Sequence, residues 1–91
     1  MTAILDIEPD AQAVEAIDAS RLLIQFANQE RRVFDMTDLF ELPVYQKLKS
    51  KSVFEKVYVD HGVIHWDAMT DLAPESAYYQ GVPVEPYANP L

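Results

Sequence analysis

Apolar and polar residues alternate most clearly between Ser20 and Ala27, where Leu22, Ile24 and Phe26 interleave with Arg21, Leu23 and Gln25. A period of two marks a strand with one buried face. Asn28-Gln29-Glu30 breaks the run and Arg31 to Met36 resumes it, so residues 20–36 predict a β-hairpin. The turn lacks the glycine favoured by a two-residue type I′ hairpin, and Asn28 is the residue expected there to accept a positive φ.

A second hairpin is predicted around Asp60-His61-Gly62. On its first strand Val53, Val57 and Val59 share one face, and Phe54, Lys56 and Tyr58 the other. On the second, Ile64 and Trp66 alternate with Val63, His65 and Asp67. Both faces carry apolar groups, which predicts a pair central in its sheet. Gly62 supplies the positive φ of a tight turn, and Trp66 is expected in the core.

The remaining pattern is weaker. Leu5 and Ile7 against Asp6 and Glu8 predict a short strand closed by Pro9. Residues Asp10 to Glu15, polar and alanine-rich, read as a loop. Thr37 or Asp38 is placed to cap a short helix, with Glu41 completing a capping box. Pro43 starts a second short helix that sets Val44, Tyr45 and Leu48 on one side, and Ser50-Lys51-Ser52 reads as a polar hinge. Asp71 caps or braces the turn before Pro74, which opens a last helix that Gly81 stops. The sum is an α+β domain: an antiparallel or mixed sheet of about five strands, two hairpins among them, with short helices on one side. Residues 1–81 form this single domain. Residues 82–91, with Pro83, Pro86 and Pro90, read as an extended tail.

Composition narrows the class. A chain of 91 residues, 49% hydrophobic, builds one core. No apolar run approaches the roughly 20 residues that span a bilayer, and an amino terminus that meets Asp6 at once is not a secretory signal. The absence of cysteine excludes a disulfide framework and a thiolate zinc site, and a cytoplasmic protein is expected. Net charge is −8, yet all seven bases lie between positions 21 and 56, with five acids; the flanking segments hold five acids each and no base. Such a chain repels polyphosphate and attracts basic partners.

The succession Phe26-Ala27-Asn28-x-Glu30-x-Arg32-x-Phe34-Asp35, Pro43-Val44-Tyr45-x-x-Leu48-Lys49, Phe54-x-Lys56-Val57-x-Val59-Asp60-x-Gly62-Val63-Ile64-x-Trp66 and Asp71-Leu72-Ala73-Pro74-Glu75 with Tyr78 resembles the small bacterial domain-of-unknown-function family 2442. The resemblance covers residues 4–80. It departs at Gln29, where the family usually has glycine, and at Asp67-Ala68-Met69, where it often has Pro-Asn-Gly; both changes fall in loops. The resemblance implies a small α+β domain, found alone or joined to a helix-turn-helix module for which this chain has no room after residue 80. Stand-alone members are often encoded beside another small protein in a toxin–antitoxin-like pairing. No enzymatic activity is established for the family, so the resemblance carries over no catalytic residues.

Candidate chemistry is sparse. His61 and His65, with Asp60 and Asp67 nearby, lack a third nitrogen or sulfur ligand, so no metal or other cofactor is expected. Acid pairs such as Asp35 with Asp38, or Asp67 with Asp71, would need a cleft and a perturbed pKa to act as acid and base, and the chain is not expected to be an enzyme. Arg31, Arg32, Lys47, Lys49 and Lys51 would make a basic patch if the first hairpin lay beside the second short helix, though the net charge weighs against nucleic acid. Tyr78 and Tyr79 are adjacent helical positions and cannot both point inward. The residues singled out for an interface are Tyr78, Tyr79, Tyr45, Arg31 and Arg32. The expected function is a non-enzymatic protein-binding module, antitoxin-like, with a basic protein partner. A homodimeric structural or regulatory domain is the alternative, and a small acid-based enzyme a more remote one.

Overall fold

The computed structural model describes residues 9–84. Within them, strands β1 (Ala11–Ala16), β2 (Arg21–Phe26), β3 (Arg31–Asp35) and β7 (Val82–Pro83) form one antiparallel sheet in the order β1-β2-β3-β7. Strands β4 (Tyr58–Asp60), β5 (Val63–Asp67) and β6 (Thr70–Leu72) form a second antiparallel sheet in sequence order. Between β3 and β4 run two 3-10 helices, Thr37–Glu41 and Pro43–Lys49, and a one-turn helix α1 (Lys51–Phe54); α2 (Pro74–Gln80) links β6 to β7. The α+β class is as expected, with the strands divided between two sheets instead of gathered in one.

Register explains the core. Leu22, Ile24 and Phe26 of β2 align with Phe34 and Arg32 of β3 and with Ala16, Val14 and Ala11 of β1, so one face of the four-stranded sheet is apolar except at Arg32. Leu22, Ile24 and Phe26 are fully buried, and Phe40, Leu48, Phe54, Ile64, Trp66 and Ala77 close over them. Burial of such side chains contributes about 1.5–3 kcal/mol each relative to exposure, the main term holding a chain this small. The two sheets meet where the Ala11 amide donates to the Gly62 carbonyl at 3.0 Å. Gly62 has φ +81, and a Cβ there would stand 2.6 Å from the Asp10 side chain, so the turn and the sheet junction both require glycine.

Several local expectations are corrected. Asp10 to Glu15 is not a loop; Ala11–Ala16 is an edge strand whose small inward residues masked the alternation, with a bulge between Ala11 and Ala13. The first strand of the second hairpin does not begin at Val53. Residues Lys51–Phe54 are helical, Ser50 standing at the N-cap position, and only Tyr58–Asp60 pair with β5. A spacing of four between Val53 and Val57 suits a helical turn as well as a strand face, and the core decides: Phe54 stacks on Trp66, and the Trp66 Nε1–H donates to the Phe54 carbonyl at 3.1 Å. No capping box forms at Asp38. The N-cap residue is Met36, and the Asp35 carboxylate instead accepts from the Thr37 amide and hydroxyl. Asp71 does not cap α2; it lies in β6, an unforeseen strand joined to β5 by a tight turn in which Asp67 accepts from the Met69 amide. The positive φ of the first hairpin falls on Gln29, not Asn28. Val82 and Pro83, at the start of the proline-rich segment, add a short strand to β3. The strand predicted from Leu5 and Ile7, and the segment after Val84, lie outside the described residues. Among the described residues no helix is long and apolar enough to cross a membrane.

Candidate interface cleft

Helix α2 divides its side chains by its own periodicity. Ala77 is buried in the core, Glu75 and Tyr79 are exposed, and Ser76 and Gln80, four residues apart, line a cleft. Tyr78 turns towards the first hairpin. There Arg32 holds a core-facing position beside Ile24, where alternation calls for an apolar residue. Tyr78 roofs it: the Arg32 guanidinium carbon lies 3.8 Å from the centre of the tyrosine ring. Arg32 also donates from Nη1 to the Tyr78 carbonyl, and from Nε and Nη2 to Glu30 Oε1 at 3.0 and 2.8 Å. The Tyr78 hydroxyl donates to Glu30 Oε2 at 2.7 Å and accepts from the Asn28 amide at 3.2 Å. Tyr78 packs edge-on against Phe26. These bonds, from Tyr78 first and then Arg32, hold the Glu30 carboxyl below its usual range.

The latch sets α2 at a fixed distance from the first 3-10 helix and β6, leaving a cleft of about 370 Å³. Phe34, Leu39, Leu42, Tyr45 and Leu72 make its apolar lining; Asp71, Ser76 and Gln80 supply the polar groups. Leu42 is 46% exposed, a large aliphatic side chain open to water on the cleft wall. The Tyr45 hydroxyl donates to the Asp71 carbonyl at 2.6 Å, tying the second 3-10 helix to β6. Burial, and then the charge of Asp71, push the Tyr45 phenol up, so it remains a donor. Asp71 is exposed, and its charge acts on the Tyr45 phenol that lines the cleft.

The five residues singled out from the sequence are not gathered in one place. Tyr45 lines the cleft, Tyr78 and Arg32 form the latch, Tyr79 is exposed on α2, and Arg31 is exposed on the opposite face of β3 from Arg32. Three of the five bases expected in a basic patch are paired with acids: Arg32 with Glu30, Lys47 with Asp67 at 2.6 Å and Lys51 with Glu55 at 3.8 Å. His65 stacks on Tyr58, His61 pairs with Asp60 in the turn, and no group of three metal-ligating side chains occurs among the described residues. Two of the carboxylates considered for catalysis, Asp35 and Asp67, are shifted the wrong way for a general acid. Thr37 lowers the pKa of Asp35, and Lys47 with the Met69 amide lowers that of Asp67 to about 2.

The sequence reading did not identify Leu42, Leu72, Ser76 and Gln80 as site residues. The one usable signal was the apolar surface of Leu39 and Leu42, on and just after a helix too short to bury both; Leu72 and Gln80 meet only through the fold.

No characterised protein and no solved structure matches the chain. The family model described as "Protein of unknown function (DUF2442)" matches residues 11–83, from the first residue of β1 to the last of β7. The chain therefore belongs to the DUF2442 family.

Proposed function

We propose that this domain is a non-enzymatic protein-binding module whose cleft takes a segment of a basic partner protein, in the manner of the antitoxin-like half of a small two-protein pair. The observation that carries it is the cleft between α2, the first 3-10 helix and β6: apolar within, open along Leu42, and lined by Asp71. An apolar floor with a carboxylate at its edge suits a segment that alternates aliphatic and basic side chains. Charge supports the same partner. The net charge is −8, and four of the seven bases are already bound to acids of the same chain. The acidic surface speeds encounter with a basic protein and repels nucleic acid.

The test is affinity capture from the source cell with wild type and Leu42→Glu in parallel. Leu42 is exposed enough for the variant to fold, which its thermal transition verifies. A basic protein held by wild type and lost from the variant supports the proposal. Equal capture by both, or capture of nothing, contradicts it.

A further inference from the structure

The helices and both inner faces serve the core, but the outer face of the four-stranded sheet has no covering layer among the described residues. Alternation puts Arg21, Leu23 and Gln25 of β2 on that face, with Arg31, Val33 and Asp35 of β3 beside them. One row crosses all four strands in register: Glu15 beside Leu23, Leu23 beside Val33, and Val33 beside Val82. Leu23 and Val33 are half-buried, while Val82 at the edge is 67% exposed. The face is uneven. A depression of about 160 Å³ sits at the β1–β2 end, among Ala13, Glu15, Leu23 and Gln25. A larger one of about 450 Å³ lies at the β3–β7 end, among Val33, Asp35 and Val82.

We infer that this face binds a second copy of the chain, the two sheets stacked about a two-fold axis that runs along the strands between β2 and β3. That operation is fixed by the pattern of the face. It exchanges β2 with β3 and β1 with β7, so Leu23 of each copy meets Val33 of the other, aimed at the larger depression. The projecting Val82 enters the smaller depression beside Glu15. In the adjacent row it sets Arg21 of each copy against Asp35 of the other, a charge pair formed twice. Among the described residues the Arg21 side chain is engaged only through its Nε, in the ion pair with Asp18, which leaves its two Nη groups to reach Asp35 of the other copy. A two-fold axis along the row instead would oppose Glu15 to Glu15, so charge selects the first arrangement. Apolar rows from two inward-turned faces, packed about 10 Å apart, are the ordinary way two antiparallel sheets associate.

This surface is separate from the α2 cleft, and the two are tested independently. Sedimentation velocity over a range of concentrations should give a dimer for wild type and for Leu42→Glu. Val82→Lys, at an exposed position, and Arg21→Glu, which sets like charges face to face with Asp35, should each weaken association by about ten-fold or more. Circular dichroism verifies that each variant is folded. A monomeric wild type at every concentration overturns the inference, as does a dimer that folded Val82→Lys and Arg21→Glu leave unchanged.

Discussion

Arg32 and Tyr78, 46 residues apart in the chain, lie with guanidinium over ring at 3.8 Å, and the pair fastens α2 to the first hairpin. An arginine at a core-facing strand position is costly unless its charge is paired and its donors are used. Glu30 supplies the charge, and Tyr78 supplies both a carbonyl and an aromatic face. Removing Arg32 with alanine should therefore cost more than removing only the tyrosine hydroxyl. We expect about 1 kcal/mol for Tyr78→Phe and about 2–3 kcal/mol for Arg32→Ala in urea unfolding, with clear coupling in the double variant. Equal or negligible losses would mean that α2 is held by Ala77 and Phe26 contacts alone.

Gln29 has φ 77, the left-handed region, within a three-residue hairpin loop: its amide donates to the Phe26 carbonyl, and the Asn28 side chain accepts from the Glu30 amide. A side chain in that conformation is strained by about 1–2 kcal/mol. Gln29→Gly should relieve the strain and, after the greater freedom of glycine in the unfolded chain, stabilise the domain by about 0.5–1 kcal/mol. A higher urea midpoint checks this; an unchanged or lower one contradicts it.

Asp67 ties the second sheet to the second 3-10 helix through Lys47 and titrates at about 2, below its ordinary 3.8. A carboxyl with a depressed folded-state pKa stabilises the fold fully above its unfolded value and loses that contribution as pH falls through its folded one. Stability should therefore decline between about pH 4 and pH 2. Carboxyl NMR titration of Lys47→Gln should show Asp67 moving up towards 3.8, with part of the depression kept by the Met69 amide. No movement would show that the ion pair does not form in solution.

Gly81 ends α2 with φ −76, so its role is not a left-handed turn. A Cβ there would stand 2.5 Å from the Ala77 carbonyl oxygen and 3.1 Å from the Arg32 Cβ. Gly81→Ala must push the end of α2 away from β3, and overpacking of this kind costs about 1–3 kcal/mol. A thermal midpoint equal to wild type would contradict this.

How much of this was legible in the sequence follows from which residues act locally. The strand of Leu22, Ile24 and Phe26 and the turn at Gly62 were readable because period two and a positive-φ glycine are properties of neighbouring residues. Lys51–Phe54 was misread because four residues are too few to separate a helical period from a strand period, and stacking on Trp66, twelve positions on, decided the matter. Ala11–Ala16 was missed because alanine carries little β preference, and pairing with β2 makes the strand. The latch residues Asn28, Glu30, Arg32 and Tyr78 stood out as residues, but their convergence needed the return of α2 over β3. Beyond Tyr45 and the apolar surface of Leu39 and Leu42, the cleft was not legible, since Phe34, Leu39, Leu72 and Gln80 come from four elements.

The most direct test of the proposed function is site-specific photocrosslinking in the source cell. A benzophenone side chain is placed at Leu42 in one variant and at Glu75, on the exposed face of α2, in another. The cleft proposal predicts one adduct of defined mass from position 42, containing a basic protein, and none from position 75. Adducts from position 75 alone, or from neither position, would contradict it.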